Sequence, residues 1–170
     1  GVESMDAAAF DAFYSASFSR VVGQVYAMCG DFAEAQDCVQ EAFVRAWDHR
    51  RQMERTRAPE AWVRTVAWRL AVSRWRRTRR ALLPPDRSRF PTQHGGEPDI
   101  EHTALVTALR QIPEEQRRAI VLHHLCDLSV ADVAAETGVP TGTVKARLSR
   151  GRAALALLLS ESRTEETHHA

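Results

Sequence analysis

The residues from Thr141 to Arg152 carry side chains suited to binding double-stranded DNA. Four of them are basic and none is acidic. Lys145 and Arg150 can donate hydrogen bonds to guanine edges, and Ser149 can bond to several bases. Helical spacing places five residues on one face, called here the reading face: Gly142, Lys145, Ala146, Ser149 and Arg150. A second set is placed to neutralise phosphates: Thr143, Arg147 and Arg152. The alternative is a solvated basic helix in a bundle.

The residues before this segment predict the turn of a helix-turn-helix. Ser129 is a suitable N-cap for a short helix that contains Val133. Gly138 follows, and a glycine can adopt the positive φ that a sharp turn requires. Thr141 then begins the basic helix, which Val144 and Leu148 would hold against its neighbour. The segment therefore predicts a second helix that enters a major groove.

An arginine-rich segment earlier in the chain suits unpaired bases. Eight arginines and one acid, Glu60, lie between Arg57 and Arg80. Trp62 begins a predicted polar face that consists of Thr65, Arg69, Ser73 and Arg76, with Arg77, Arg79 and Arg80 beyond it. An aromatic ring can stack on a base while guanidinium groups hold the backbone, although Trp62 equally suits a core position. Trp68 and Trp75 fall on the opposite side with Val72, and for these two a core role is expected.

An acidic helix carries a third group of polar side chains. Five acids and one arginine lie between Asp31 and Asp48. Asp37, Gln40 and Glu41 share one face at i, i+3 and i+4. Such a face either docks on another protein or is simply solvated, and the spacing does not separate the two interpretations.

The sequence offers little for catalysis or for metal binding. His123, His124, Cys126 and Asp127 are nearly consecutive on a predicted helix, so they cannot converge on one point. The three cysteines are odd in number and scattered, as expected in a reducing compartment. We therefore expect no catalytic residue, no metal and no cofactor. No secretion signal and no apolar run of membrane-spanning length is recognisable, which favours a cytoplasmic protein without membrane insertion.

These segments belong to a chain with helical periodicity and no alternating strand pattern, which predicts an all-α fold. Helices are expected from about Asp6 to Met28, after the N-cap Asp31, and from Pro59 to about Arg80. Prolines and glycines between Ala81 and Ile100 predict a flexible linker. The expected organisation is a first domain over 6–80, a linker over 81–101, a second domain over 102–160 and a frayed polar tail over 161–170.

Three separated motifs resemble the extracytoplasmic-function sigma factors of the sigma-70 family. The stretch Asp-Cys-Val-Gln-Glu-Ala-Phe-Val-Arg-Ala-Trp at 37–47 looks like region 2.2. The run 61–77 is similar to regions 2.3 and 2.4, and 113–155 resembles region 4. Family members often carry Asn and Asp where this chain has Arg69 and Ser73, so the promoter sequence does not carry over.

The resemblance implies a non-catalytic subunit that binds core RNA polymerase and directs promoter recognition, DNA melting and initiation at a restricted set of promoters. Asp37, Gln40 and Glu41 would contact the beta-prime clamp helices, and the beta flap is a further expected partner. The expected minus-ten residues are Trp62, Thr65, Arg69, Ser73, Arg76 and Arg77. The expected minus-35 residues are Thr143, Lys145, Ala146, Arg147, Ser149, Arg150 and Arg152. An anti-sigma factor is also expected.

Two other classes of protein stay open on the residues alone. A conventional regulator would join a helix-turn-helix to an unrelated helical sensor domain and would bind duplex DNA without polymerase, usually as a dimer. A small helical enzyme built on the 123–127 cluster would show metal content or hydrolase activity.

Overall fold

The computed structural model describes residues 5–56, 58–80 and 100–168 of the chain. Within these ranges all regular structure is helical, and the chain divides into two compact units, 1–92 and 93–170. The first unit contains α1 (Ala7–Cys29), α2 (Phe32–Asp48), α3 (Arg50–Arg55) and α4 (Pro59–Arg80). The second contains α5 (Ile100–Leu109), α6 (Glu114–Ile120), a π-helical turn (Val121–Leu125), α7 (Val130–Thr137) and α8 (Thr141–His168).

The boundary between α1 and α2 follows from two residues. Gly30 ends α1 with φ of 78°, a conformation that side chains with a Cβ atom rarely adopt. Asp31 then caps α2, because its Oδ1 accepts a hydrogen bond from the backbone N–H of Glu34 at 3.0 Å. The two helices are thus joined by two residues, Gly30 and Asp31, and the N-cap is the one that the sequence predicted.

Polar contacts fix how α4 lies along this hairpin. Arg20 on α1 pairs with Glu60 in the first turn of α4 at 2.7 Å. About one helical turn further along α4, the Arg64 guanidinium, which is 3% exposed, donates to the Gln24 carboxamide oxygen at 3.0 Å. Because a buried guanidinium needs hydrogen-bond acceptors, this contact specifies the register as well as the packing. The core between the helices is apolar and includes Val21, Val25, Met28, Val39, Ala42, Val63 and Ala67.

The first turns of α1 pack against the end of α2 through aromatic rings. The Phe43 ring lies 5.0 Å from that of Tyr14 and 5.5 Å from that of Phe13, measured between centroids. Phe10 makes an edge contact with Trp47 at 5.2 Å. Offset and edge contacts of this kind add to the burial of the rings themselves.

Helix α3 was not expected, since the sequence predicted only a polar stretch from His49 to Arg57. Its single apolar residue, Met53, is 1% exposed and anchors the helix. The backbone N–H of Met5 also donates to the Glu54 carboxylate. One buried side chain in six residues gives no periodic signal, which explains why the pattern missed the element.

In the second unit, Arg117 on α6 closes the end of α5. Its guanidinium donates to the carbonyl oxygens of Leu109 at 2.7 Å and Ile112 at 3.0 Å. Leu109 is the last residue of α5, and Ile112 lies in the turn that follows it. The side chain therefore joins α5, the following turn and α6 into one structure.

The helix-turn-helix lies where the sequence placed it. The Ser129 hydroxyl accepts from the backbone N–H of Asp132 at 3.1 Å, Gly138 has φ of 72°, and α8 begins at Thr141. Val133, Val144 and Leu148 are buried between the two helices. Among the described helices, none has the length and apolar character that a membrane crossing requires.

Two expectations concern the ends of the second domain. Helix α8 continues to His168, through most of the tail that was expected to fray over 161–170, because no glycine or proline follows Gly151 and strong helix formers do. The linker predicted over 81–101 lies outside the described residues except for its last two, which already belong to α5.

Candidate protein- and DNA-binding surfaces

The predicted protein-binding face lies on the side of α2 away from the core. Asp37 and Gln40 are exposed, and Glu41 is half-exposed with its carboxylate 3.3 Å from the Arg45 Nε. The opposite side of α2 is buried through Ala35, Cys38, Val39 and Ala42. The three polar side chains are therefore free to meet another molecule, and none holds α2 in the bundle.

The structure adds Val44 to this face. Its side chain is 58% exposed and it follows Glu41 by three residues, so it lies among the polar groups rather than in the core. An apolar side chain on an otherwise polar helix face is a common feature of protein interfaces. The sequence carried this signal, but Val44 was not singled out.

On α4, the predicted base-binding residues lie along an accessible face. Arg69, Arg76 and Arg77 are exposed, and Thr65 and Ser73 are half-exposed. Both hydroxyls make hydrogen bonds within α4: Thr65 donates to the Ala61 carbonyl at 2.8 Å, and Ser73 accepts from Arg77 Nη2 at 3.4 Å. The arginines are therefore the groups with the greatest freedom to contact phosphates.

Trp62 occupies the start of this face and is half-exposed. Its ring lies 6.0 Å from the ring of His49, which in turn contacts the Arg45 carbonyl oxygen through Nδ1 at 2.9 Å. Nearby, the Arg50 guanidinium lies 4.2 Å from the centre of the Trp47 ring. Two partly exposed indole rings thus border the junction of α2, α3 and α4. The ring of Trp62 lies beside the His49 imidazole, and the ring of Trp47 lies beside the Arg50 guanidinium.

The expectation for the other two tryptophans is half right. Trp68 is 7% exposed and belongs to the core, whereas Trp75 is 54% exposed. Arg74, one residue earlier, pairs with Glu34 in the first turn of α2 at 3.4 Å. Arg74 thus lies beside the first turn of α2. Trp75, one residue further along α4, lies where α2 begins and is no longer covered by the core.

On α8, the reading face is accessible along its length. Gly142, Lys145, Ala146, Ser149 and Arg150 are all exposed. The opposite side is fixed by the buried residues Val144, Leu148, Gly151 and Leu155. The helix can therefore present this face to a ligand without any change in its packing.

Two of the predicted phosphate-binding arginines have partners within the second unit. Arg147, whose side chain is 22% exposed, lies 3.4 Å from the Glu115 carboxylate on α6. Arg152 donates through Nε to His124 Nε2 at 3.0 Å. Thr143 is half-exposed. The sequence reasoning did not find these partners, because neither pairing has a signature in residue spacing.

Burial lowers the reactivity of two of the three cysteines. Burial raises the pKa of the Cys29 thiol to about 11 and, with the Glu34 carboxylate adding to it, that of Cys38 to about 12. Both thiols are protonated near neutral pH and are poor nucleophiles. Within the described ranges, no three His, Cys, Asp or Glu side chains are grouped as metal ligands would be.

Comparison with known families gives two matches. Residues 13–81 match sigma-70 region 2, and residues 102–155 match sigma-70 region 4. The sequence is 33% identical to the extracytoplasmic-function (ECF) RNA polymerase sigma factor SigL of Mycobacterium tuberculosis over 95% of this chain and 94% of that protein. It is 31% identical to the ECF sigma factor SigE of Mycolicibacterium smegmatis over 89% of this chain and 62% of that protein.

The fold is similar to that of a solved sigma factor. Its counterpart is RpoE from Bartonella quintana, crystallised in complex with the anti-sigma factor NepR, with a TM-score of 0.73 and 26% identity. The match covers 89% of this chain and 96% of that chain.

Proposed function

Since the chain belongs to the extracytoplasmic-function sigma factors of the sigma-70 family, we propose that its work is divided between the two helical units. A sigma factor is a non-catalytic subunit that gives RNA polymerase its promoter specificity. This chain accordingly directs the initiation of transcription at promoters and needs no catalytic residue of its own. Family membership also replaces the alternatives of a conventional regulator and a small enzyme.

In the proposal, the first unit anchors on core polymerase through Asp37, Gln40 and Glu41. The support is their exposure on a helix whose other side is fully buried. Val44 extends the surface with an apolar contact that excludes water from the neighbouring polar groups. The beta-prime clamp helices are the proposed partner of this face, and the beta flap is the proposed partner of the second unit.

The same unit would hold the opened minus-ten strand along α4. Trp62 is proposed to stack on an unpaired base, and the proposed backbone contacts come from Arg69, Arg76 and Arg77, with Thr65 and Ser73 at their side. Stacking contributes about 1–3 kcal/mol per base, which is comparable with the cost of unpairing a base. Capture of a base by stacking thus offsets the cost of unpairing that base.

The second unit would read the minus-35 element through α8. Lys145, Ser149 and Arg150 are proposed to meet base edges, with Ala146 allowing close approach. Thr143, Arg147 and Arg152 are proposed to contact phosphates. Because each unit offers few phosphate contacts, free sigma should bind DNA weakly, and polymerase should strengthen binding by fixing both units on one promoter.

Regulation by an anti-sigma factor is a further part of the proposal. The structural counterpart RpoE was solved with such a protein bound. A cytoplasmic location is proposed as well, because that is where core polymerase and the chromosome are found.

One observation carries the proposal: the first unit presents both an exposed acidic face, on α2, and an arginine-rich face, on α4. Its test is the charge reversal Glu41→Lys. This change should weaken binding to purified core polymerase by tenfold or more, given that close charge pairs at interfaces are worth roughly 1.5 kcal/mol or above.

Asp11→Lys is the matched control, because Asp11 is exposed on α1 and lies outside the proposed face. Affinity is measured by titrating labelled chain with core polymerase, and circular dichroism checks that each variant folds. If Glu41→Lys binds core polymerase as tightly as Asp11→Lys does, the docking face is misassigned.

A further inference from the structure

His124 lies beside the proposed DNA-binding surface, although it is not among the residues expected to contact DNA. It belongs to the π-helical turn, and Arg152 belongs to α8, 28 residues later in the chain. The Arg152 Nε donates to His124 Nε2 at 3.0 Å. On α8, Arg152 follows Lys145 and Ser149 at i+7 and i+3, so it stands on the Lys145 edge of the reading face.

The chemistry of the two groups fixes the protonation state of the histidine. A guanidinium has donors and no acceptor, so His124 Nε2 must be the acceptor and carries no hydrogen. The bond exists only while His124 is neutral. Beside it, the Nδ1 of His123 contacts the Leu128 carbonyl oxygen at 2.7 Å, which requires a hydrogen on that nitrogen. His123 is therefore used within its own loop, and His124 is the imidazole that faces α8.

His124 lies within the π-helical turn. The backbone N–H of Cys126 bonds to the Val121 carbonyl at 3.0 Å, which closes a ring one residue larger than in an α-helix. One extra residue rotates the side chains that follow by about 100° relative to a continuous helix. Widened turns of this type occur often at functional positions.

We infer that His124 is a positioning residue: it holds Arg152 through Nε and so directs the two Nη groups of that side chain toward a DNA phosphate. The inference rests on the proposed phosphate-binding role of Arg152. Within the described part of the chain, those Nη groups have no hydrogen-bond partner. A long side chain that is already ordered loses less entropy on binding, so the histidine contributes affinity without touching DNA.

This arrangement makes the contact sensitive to acid. Burial, then the charge of Arg152, then His123 lower the pKa of His124 below its ordinary value of 6.5. Arg152 from α8 and His123 from the same turn are the groups whose charges act on it. Protonation turns Nε2 into a donor and sets two cations side by side, so Arg152 is held above the folded pKa and released as the pH falls through it.

The test uses the full chain in holoenzyme and a duplex promoter fragment that run-off transcription has identified. His124→Ala should weaken promoter binding at pH 7.5 by about two- to tenfold, the effect of ordering one long side chain. His124→Gln, which keeps an acceptor near the position of Nε2 and does not titrate, should restore binding. Arg152→Ala should weaken binding, and adding His124→Ala to it should change nothing more. Arg163→Ala, about three turns further along α8, is the control for loss of a charge.

The pH profile separates positioning from simple structural support. As the pH is lowered from 7.5 through the pKa of His124, which lies below 6.5, the wild-type affinity should fall relative to that of His124→Gln. Identical profiles, or an equal loss from His124→Ala with and without Arg152, would overturn the inference. If Arg152→Ala itself leaves promoter binding unchanged, the proposed phosphate contact fails, and the inference fails with it.

Discussion

Gly151 allows α6 and α8 to approach closely, and replacing it should destabilise the second unit. A Cβ atom built at this position would lie 2.4 Å from Ile120 Cδ1, 3.2 Å from Ile120 Cγ1 and 3.4 Å from Gln116 Cβ. The first distance is far inside van der Waals contact. Ile120 is 5% exposed, so its side chain can move only into other buried groups.

The magnitude follows from two opposing effects of Gly151→Ala. Alanine in a helix interior is favoured over glycine by roughly 0.5–1 kcal/mol. Overpacking of a filled core costs about 1–3 kcal/mol. The midpoints of the two ranges give a net loss of about 1 kcal/mol in the free energy of unfolding of the second unit.

Gly23→Ala is the matched control in the first unit, because a Cβ atom at Gly23 meets nothing within 4 Å. That change should stabilise α1 by roughly 0.5–1 kcal/mol.

The four tryptophans make the assay specific, since all of them lie in the first unit. In urea denaturation, tryptophan fluorescence reports that unit and circular dichroism reports both. Gly151→Ala should lower the midpoint of the second-unit component seen by circular dichroism and leave the fluorescence midpoint unchanged. Gly23→Ala should raise the fluorescence midpoint. An unchanged or raised second-unit midpoint for Gly151→Ala would refute the close-approach argument.

Three further predictions concern single residues. Asp127 has φ of 59° after the π-helical turn, and Asp127→Gly should stabilise the second unit by roughly 1 kcal/mol in the same urea assay; a loss of stability would show that the carboxylate matters more than the backbone. Arg117→Met should destabilise that unit by about 1–3 kcal/mol, because the part-buried carbonyl oxygens of Leu109 and Ile112 lose their charged donor; an unchanged midpoint would mean that water replaces the guanidinium. The raised pKa values of Cys29 and Cys38 predict slow reaction with iodoacetamide at pH 8: both thiols should stay unlabelled in the folded chain during the time that labels the urea-unfolded chain completely. Labelling of the folded chain should rise only as the pH approaches the raised pKa values. Rapid labelling of these two thiols in the folded chain at pH 8, read by mass spectrometry, would contradict this.

The parts of the fold that could be predicted from sequence are those in which one residue has one physical consequence. Gly30, Gly138 and Pro59 mark helix boundaries because their backbones favour or forbid particular conformations. Asp31 and Ser129 were recognised as N-caps for a similar reason, since a short polar side chain can bond to the free N–H groups that follow it. These signals are local and depend little on the rest of the chain.

The parts that could not be predicted depend on tertiary contacts. Trp75 has the spacing of a core residue, and only the level at which the bundle ends decides that it is exposed. The pairing of Arg152 with His124 joins residues 28 positions apart, on α8 and in a π-helical turn that no residue type in 121–125 marks. The close approach at Gly151 could not be predicted either. A glycine within a helix only lowers the expected helix stability until the packing neighbour, here Ile120, is known. The roles of the surface residues remain predictions from family resemblance, since exposure alone fits a solvated face equally well.

The promoter specificity that this chain gives to core RNA polymerase can be measured directly. Purified bacterial core polymerase is combined with the chain and a fragment library of the host genome, followed by run-off transcription and mapping of RNA 5′ ends. We expect RNA from a small set of start sites that share two upstream elements, with no such products when core polymerase or the chain is omitted. Binding to duplex DNA without any association with core polymerase, and no specific start sites, would contradict it.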